Sequence, residues 1–192
     1  MGLIDTEVLL NRHRLTVDEY HRMAEAGVLA PDARVELIEG ELVDMASIGT
    51  RHAAAVKRLN RLLTQAVGDR AIVSVQDPLH LSSRTETQPD LTLLKPRDDF
   101  YAQAAPAGAD ALLVIEVADS SSNYDRRIKA PLYARHGVTE LWIIDLDAAC
   151  VRILRAPRDA EYGDVSTLTE PGRVEVQALP GIALDLSSLL LR

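Results

Sequence analysis

The sequence contains a single cysteine, Cys150, and very few aromatic residues, which make up only 4% of the chain. One cysteine cannot form an internal disulfide bond, and such sparing use is typical of a reducing compartment, so we expect a cytoplasmic protein. No apolar run approaches the roughly 20 residues that a membrane-spanning helix requires. The first residues do not resemble a secretory signal peptide either.

The sequence also lacks the signatures of several large enzyme classes. It contains no GxGxxG motif, no P-loop, no GxSxG motif and no HExxH motif. Rossmann dehydrogenases, nucleotide kinases, serine hydrolases and zinc peptidases therefore lose their usual support. The five histidines show no zinc-ligand spacing with each other or with Cys150.

Basic residues are fewer than acidic residues, so the formal net charge is -8. An acidic surface repels phosphate groups, and this argues mildly against nucleic-acid binding. However, residues 51–70 and 124–136 together hold nine basic and two acidic residues. These stretches are either basic patches that could contact nucleic acid or ordinary solvated helix faces.

The order of the predicted elements indicates an α/β fold. Thr16 and Glu19 form a capping box that opens a first helix. Glu39-Gly40 separates two short apolar runs, as expected for a β-hairpin. The predicted helices cover 50–67, 123–136 and 186–190, and the predicted strands cover 35–38, 41–45, 71–75, 79–81, 91–94, 112–117, 140–146 and 150–154.

These elements predict one domain over 1–192, with a mixed central sheet flanked by helices. The run 112–117 is apolar on both faces, which is typical of a central, covered strand. The strand–helix–strand unit that begins with this run is expected to form a right-handed crossover between parallel strands.

Two carboxylates occupy positions where the burial of an unpaired charge would cost free energy. Glu116 interrupts the apolar run 112–117, and Asp90 directly precedes the apolar strand 91–94. If these strands are neighbours about 4.8 Å apart, the two carboxylates can share one magnesium or manganese ion. The alternatives are a buried salt bridge for Glu116 and a turn role for Asp90.

Lys129 is the candidate cation for the same site. It lies about 9 Å along the helix that runs back over the sheet. Glu116 lies roughly 3–7 Å from the end of its strand, so the two heights are similar. The alternative is a surface ion pair between Asp125 and Lys129, four residues apart on one helix.

The pattern Pro89-Asp90 followed by Glu116-Val117 resembles the motif of the PD-(D/E)XK nuclease superfamily. More specifically, about residues 15–190 resemble the Uma-two family of restriction endonucleases. The segments that carry this resemblance are RVELIEGELV at 34–43, His52, QPDL at 88–91, IEV at 115–117, YDRRIK at 124–129, YARHGV at 133–138, ELWIID at 140–145, and 179–190.

The resemblance implies a restriction-endonuclease-like fold, a Mg²⁺ (or Mn²⁺) cofactor, DNA as substrate, and cleavage to a 5′-phosphate and a 3′-hydroxyl. By position it makes Asp90 and Glu116 metal ligands. The superfamily pattern places a lysine at position 118, where this chain has Ala118. The resemblance implies that this role moves to Lys129.

Three further residues are weaker candidates. Glu36 matches an early acidic position of the family and is either a third carboxylate of the site or an outward-facing charge of the hairpin. His52 and Arg51, at the start of the basic helix, are candidate phosphate contacts. His52 could also orient a water molecule or be an ordinary residue at a helix N-terminus.

We therefore expect a metal-dependent endonuclease acting on DNA. The alternatives are a catalytically weak binding module that keeps the fold, and a hydrolase of small phosphodiesters. A homodimer is expected, because two-fold pairs are the commonest assembly and two sites suit duplex cleavage.

Overall fold

The described residues form four α-helices, and a π-helical segment joins the last two. The computed structural model describes residues 12–30, 32–119, 121–187 and 189–190. No helix in these ranges is long and apolar enough to cross a membrane. The helices are α1 (Val17–Glu25), α2 (Thr50–Val67), α3 (Ser122–Tyr124) and α4 (Ala130–Arg135), a π-helical segment covers Asp125–Lys129, and single 3₁₀ turns cover Gly68–Arg70 and Gly108–Asp110.

The two predicted N-terminal helices are confirmed. The Thr16 hydroxyl accepts from Glu19 N at 3.2 Å, and the Glu19 carboxylate accepts from Thr16 N at 2.8 Å, which completes the capping box of α1. Helix α2 has the predicted bounds and buries the side of the helix that carries Leu59 and Leu63. Tertiary packing of this apolar side stabilises the helix.

Twelve strands lie in the described residues, and they form three sheets. A four-stranded sheet has the order β2-β1-β5-β4, a six-stranded sheet has the order β10-β9-β8-β7-β6-β3, and β11 pairs with β12. The strands are β1 (Val35–Ile38), β2 (Glu41–Asp44), β3 (Ile72–Val75), β4 (Leu79–Ser82), β5 (Thr85–Thr87), β6 (Leu91–Leu94), β7 (Ala111–Ala118), β8 (Glu140–Asp145), β9 (Cys150–Arg158), β10 (Glu161–Leu168), β11 (Arg173–Glu175) and β12 (Ala183–Asp185).

The six-stranded sheet is mixed, as predicted. Strands β7 and β8 run parallel, joined by the α3–α4 connection, and the other neighbours pair antiparallel. Both faces of β7 are covered. Leu113 and Ile115 pack in the core cluster with α2, while Val114 packs in a second cluster with Tyr133 of α4.

Alternation along β7 therefore decides which way Glu116 points. Side chains two residues apart share a face, so Glu116 lies on the same face as Val114 and Ala118, which pack with Ala130 and Tyr133. Glu116 is consequently directed toward the helical connection that carries Lys129.

Three predictions about the elements need correction. The helix predicted over 123–136 is α-helical only at its two ends, because Asp125–Lys129 forms a π-helical turn. Strand β5, Thr85–Thr87, was not predicted. The helix predicted over 186–190 is wrong, since the described residues of that stretch form turns.

Candidate active site

Asp90 directly precedes β6, and Glu116 lies in β7, the antiparallel neighbour of β6. Leu91 pairs with Ile115, so the same register continues to Asp90 and Glu116 as the next pair along the two chains. Residues opposite each other in an antiparallel pair have Cβ atoms about 4.5–5.5 Å apart and point to the same face. Both side chains are nearly fully buried and both line one pocket, so the structure brings them together, and their sharing of one metal ion stays a prediction.

Three donors hold Asp90 in place. Its Oδ2 accepts from the backbone N–H of Val117 at 2.9 Å and from His52 Nε2 at 3.0 Å, and its Oδ1 accepts from Gln76 Nε2 at 3.1 Å. Burial alone would raise the pKa of Asp90, but these hydrogen bonds outweigh it and the pKa is lowered. Asp90 is therefore ionised at neutral pH.

Glu116 has the opposite electrostatic character. Its Oε1 accepts from Tyr133 Oη at 2.6 Å and from Lys129 Nζ at 3.1 Å. Burial raises the pKa of Glu116 to about 8, against the lowering effect of Lys129, and the nearby carboxylate of Asp90 raises it further. Two neighbouring acidic groups thus have pKa values shifted in opposite directions, a pattern that is frequent at catalytic sites.

Lys129 bridges two buried carboxylates. Its Nζ lies 3.0 Å from Glu36 Oε1 and 3.1 Å from Glu116 Oε1. Burial lowers the pKa of Lys129, but the carboxylates of Glu116, Glu36 and Asp125 raise it by more, so the ammonium group stays charged. The prediction that Lys129 reaches Glu116 rather than forming a surface pair with Asp125 is confirmed.

Glu36 belongs to the site and does not face outward as a hairpin charge. It is 2% exposed, and its Oε1 also accepts from the backbone N–H of Gln88 at 2.8 Å. The site therefore joins the four-stranded sheet, which carries Glu36, to the six-stranded sheet and the α3–α4 connection.

These side chains line a pocket of about 360 Å³, within the usual range for small-ligand sites. Arg34 and Lys129 are the lining residues with a permanent positive charge, whereas six lining residues are acidic: Glu36, Asp44, Asp90, Glu116, Asp119 and Asp125. Two buried polar atoms of lining residues, His52 Nδ1 and Tyr124 Oη, have no hydrogen-bond partner among the described residues. An excess of carboxylates together with unpartnered polar atoms is typical of a site that binds a polar or charged ligand.

The donor set suits a hard divalent cation. Magnesium is usually held by one or two carboxylates together with waters and substrate phosphates, rather than by a cage of protein groups. Asp90 and Glu116 supply two such carboxylates. Within 12–30, 32–119, 121–187 and 189–190 no group of three or more His, Cys, Asp or Glu side chains is arranged to hold a metal ion.

Comparison with known proteins places the chain in a family. Residues 17–187 match the Uma2 (Uma-two) family, described as "Putative restriction endonuclease". The chain belongs to the Uma2 family. Membership in this family supports a nuclease function. No curated protein matches this Uma2 chain.

One solved structure has the same fold. It is the crystal structure of "a putative nuclease belonging to DUF820" from Anabaena variabilis, which shares 19% sequence identity with this Uma2 chain. The TM-score is 0.69, and the match covers 92% of this chain and 97% of the other. The restriction-endonuclease-like α/β fold predicted from the sequence is therefore confirmed.

The two candidate phosphate contacts of this Uma2 protein lie in different surroundings. His52 lines the pocket and binds Asp90, so its position favours a role beside the carboxylates. Arg51 has a largely exposed side chain, and its Nη1 lies 3.0 Å from Asp119 Oδ1 and 2.9 Å from Asp147 Oδ1. A phosphate contact by either residue stays a prediction.

Sequence reasoning missed several residues of the Uma2 site. Tyr133 was not named as a site residue, although it lies four residues after Lys129, and that helical spacing could have placed it beside Glu116. Gln76 gave no usable signal, because its contact with Asp90 depends on a left-handed backbone with φ of 56°. The buried hydroxyl of Tyr124 depends on the π-helical turn, which no periodicity in the sequence indicated.

Proposed function

We propose that this protein is a divalent-metal-dependent endodeoxyribonuclease that uses Mg²⁺ or Mn²⁺ to hydrolyse DNA phosphodiester bonds. The observation that carries the proposal is the adjacent pair Asp90 and Glu116 on neighbouring strands, with Lys129 Nζ 3.1 Å from Glu116 Oε1. Membership in the Uma2 family adds independent support.

Each residue has a role in this proposal. Asp90, kept ionised by its three hydrogen bonds, and Glu116 hold the metal ion. Lys129 stabilises negative charge on the phosphate or orients the attacking water. Glu36 fixes the Lys129 ammonium through their contact of 3.0 Å, and Tyr133 fixes the Glu116 carboxylate through its hydroxyl.

The charge of the pocket supports a metal requirement. Its acidic side chains outnumber its basic ones, so a phosphodiester that entered without a cation would be repelled. A bound divalent ion supplies a Lewis acid and lowers the pKa of its water, which is the chemistry that phosphodiester hydrolysis needs.

A hydrolase of small phosphodiesters is the second candidate function. It is favoured by the pocket volume of about 360 Å³ and by the net charge of -8, which does not assist binding of a long polyanion. The salt dependence of duplex binding separates the two, since a DNA enzyme that contacts several phosphates loses affinity steeply as salt rises.

The direct test is a cleavage assay on linear, supercoiled and single-stranded DNA, with Mg²⁺, with Mn²⁺ and with EDTA. We expect cleavage only with a divalent metal, and a higher melting temperature of the wild-type protein with Mn²⁺, because the metal binds the native state. Asp90→Asn should abolish cleavage and the metal-induced shift, since it removes the charge that holds the ion.

The Asp90→Asn variant should still fold. An asparagine can keep its carbonyl oxygen toward the Val117 N–H, and Gln76 can turn its amide to accept from the new NH₂ group. The matched control is Glu86→Gln, which changes another buried carboxylate, one that pairs with His21 at 2.8 Å outside the pocket. Full cleavage by Asp90→Asn, or equal loss in both variants, would contradict the proposal.

The cysteine usage of the chain fits a cytoplasmic location. The one cysteine, Cys150, is a buried free thiol, and buried thiols persist in a reducing compartment. The cytoplasmic location is part of the proposal and follows from the cysteine usage alone.

A further inference from the structure

The hydroxyl of Tyr124 is buried without a hydrogen-bond partner. The residue is partly exposed, but its Oη is enclosed and makes no hydrogen bond with any described group. A buried hydroxyl that gives up water without a replacement partner destabilises the protein, and phenylalanine would fill the same space without that cost. An unpartnered donor of this kind therefore points to a ligand.

The π-helical turn explains why Tyr124 lines the same pocket as Lys129. Ala130 N donates to Asp125 O, five residues back, and in such a turn residues five apart lie on one side of the helix, as residues four apart do in an α-helix. Tyr124 and Lys129 are five residues apart, so they share one side of the turn. In an α-helix the same two residues would point about 140° apart.

The surroundings keep the Tyr124 hydroxyl protonated. Burial raises its pKa to about 12, and the carboxylate of Glu36 adds to this effect. The hydroxyl is therefore a hydrogen-bond donor at neutral pH, in a pocket that also contains the Lys129 ammonium group. A donor beside a cation suits an anionic ligand oxygen.

We propose that Tyr124 Oη donates a hydrogen bond to a non-bridging oxygen of the bound phosphodiester, which makes Tyr124 a further residue that contacts the substrate. This inference rests on the proposed function, because it assigns a contact for the substrate of the same site. It goes beyond that function by naming which uncharged side chain completes the phosphate contact.

Tyr162 is a matched control within the same chain. Its ring is also largely buried, but its hydroxyl donates to the backbone oxygen of Val138 at 2.9 Å, and it does not line the pocket. Replacing each tyrosine with phenylalanine removes one hydroxyl group. At position 162 that hydroxyl has a hydrogen-bond partner within the protein, and at position 124 it has none among the described residues.

The experiment compares wild-type protein, Tyr124→Phe and Tyr162→Phe by three measurements. Calorimetry measures binding of the dinucleotide thymidylyl-thymidine with and without Mg²⁺, thermal unfolding measures stability of the ligand-free protein, and a cleavage assay measures kcat/KM on DNA. We expect Tyr124→Phe to weaken dinucleotide binding about tenfold or more, the range for losing a hydrogen bond to a charged group. Its melting temperature should equal or exceed the wild-type value.

The control should behave in the opposite way. Tyr162→Phe should lower the melting temperature and leave dinucleotide affinity and kcat/KM unchanged. A Tyr124→Phe protein with wild-type affinity and kcat/KM overturns the inference, and a fall in melting temperature as large as that of Tyr162→Phe overturns it as well, since the hydroxyl would then be structural.

The experiment can refute the Tyr124 contact and the nuclease function independently of each other. If wild-type protein cleaves DNA and Tyr124→Phe cleaves it equally well, the contact is wrong and the nuclease function stands. If wild-type protein cleaves no DNA but binds the dinucleotide in a Tyr124-dependent way, the contact stands and the nuclease function is wrong. If it neither binds nor cleaves, both are overturned.

Discussion

At the scale of single residues, the site separates two carboxyl groups by their surroundings. Asp90 receives hydrogen bonds from a backbone N–H, an imidazole and an amide, whereas the bonds to Glu116 Oε1 come from one hydroxyl and one ammonium group. At Asp90 these donors outweigh burial, so the pKa falls. At Glu116 burial outweighs the effect of Lys129, and the carboxylates of Asp90, Asp125 and Glu36 also raise the pKa.

The raised pKa of Glu116 predicts a pH dependence of stability in the metal-free protein. Its pKa is about 8 in the folded state against an ordinary value of 4.5, so between these values the native state binds more protons than the unfolded state. The free energy of unfolding must then fall as pH rises from about 4.5 to about 8, by at most about 1.4 kcal/mol per pH unit from this group.

Glu116→Gln isolates that contribution. Glutamine keeps an acceptor for Lys129 and Tyr133 but does not titrate. His52 and Asp125, whose pKa values are also raised, contribute with the same sign to both proteins. We expect chemical denaturation in EDTA to give a steeper fall for wild-type protein than for Glu116→Gln across this window, and parallel curves would refute the shift.

Lys129 predicts a double-mutant test. Lys129→Met leaves Glu36 and Glu116 without their shared cation, and removing one partner of a buried pair costs about 3–5 kcal/mol. Cleavage should slow by ~10²–10³, the range for losing one preorganised stabilising group. Adding Glu36→Gln removes one of the two carboxylates that have lost their cation. The double variant should therefore regain part of the lost free energy of unfolding but none of the lost cleavage activity.

Denaturant titration and the DNA cleavage assay check this. If the double variant is no more stable than Lys129→Met alone, the Glu36–Lys129 contact carries no stability. If Lys129→Met cleaves DNA at the wild-type rate, the proposed role of the lysine is wrong.

At the scale of elements, the π-helical segment Asp125–Lys129 decides which side chains reach the pocket. Single π-helical turns are uncommon and frequently occur at functional sites. Here the turn adds one residue between the part of the connection that carries Tyr124 and Asp125 and the part that carries Lys129 and Tyr133. Both parts can then face the same pocket.

Deleting the exposed residue Arg127 tests this role. The shortened turn should become α-helical, which leaves Lys129 and Tyr133 in place and rotates Tyr124 and Asp125 by about 100°. We expect the variant to fold with a melting temperature close to that of Arg127→Ala and to lose most of its cleavage activity. Unchanged activity in the deletion variant would show that the turn does not position the site.

The elements also show where sequence reasoning succeeds. Helix α2 and the hairpin of β1 and β2 depend on local signals, namely helical periodicity and a two-residue turn, and their predicted positions are confirmed. Strand β5 has no such signal, because its residues are polar. Thr85 Oγ1 accepts from Glu39 N, and Glu86 binds His21, and these partners are distant in sequence.

Some residues of the candidate site could also be predicted from the sequence, and others could not. Asp90 and Glu116 could be found because each places a charge in or beside an apolar strand. Lys129 could be found because its height along the helix matches that of Glu116, and a family resemblance supported all three. Gln76 and Tyr124 could not, since an uncharged side chain in a turn or a helix is ordinary in sequence. Only their backbone conformations bring them to the pocket.

At the scale of the whole molecule, the net charge of -8 must be reconciled with a polyanionic substrate. The basic residues of α2 and of the α3–α4 connection concentrate positive charge on two elements that adjoin the site. Local positive charge can contact phosphates even when the molecule is acidic overall, because salt screens charges that are more than about 10 Å apart.

Cleavage of both strands of a duplex predicts a homodimer. Two sites related by a two-fold axis match the symmetry of the duplex, and closed pairs are the commonest assembly. Light scattering at micromolar concentration should give twice the 21.0 kDa mass of one chain. A mass of one chain, with or without DNA, would count against the dimer.

The position of Glu36 has a consequence for the order of events during synthesis. Glu36 lies in the hairpin near the start of the chain, and its partner Lys129 is translated 93 residues later. An emerging polypeptide therefore carries the hairpin carboxylate long before the lysine that neutralises it exists outside the ribosome. The site can form only after Lys129 has been made, so translation products that end before residue 129 cannot have the activity proposed for it.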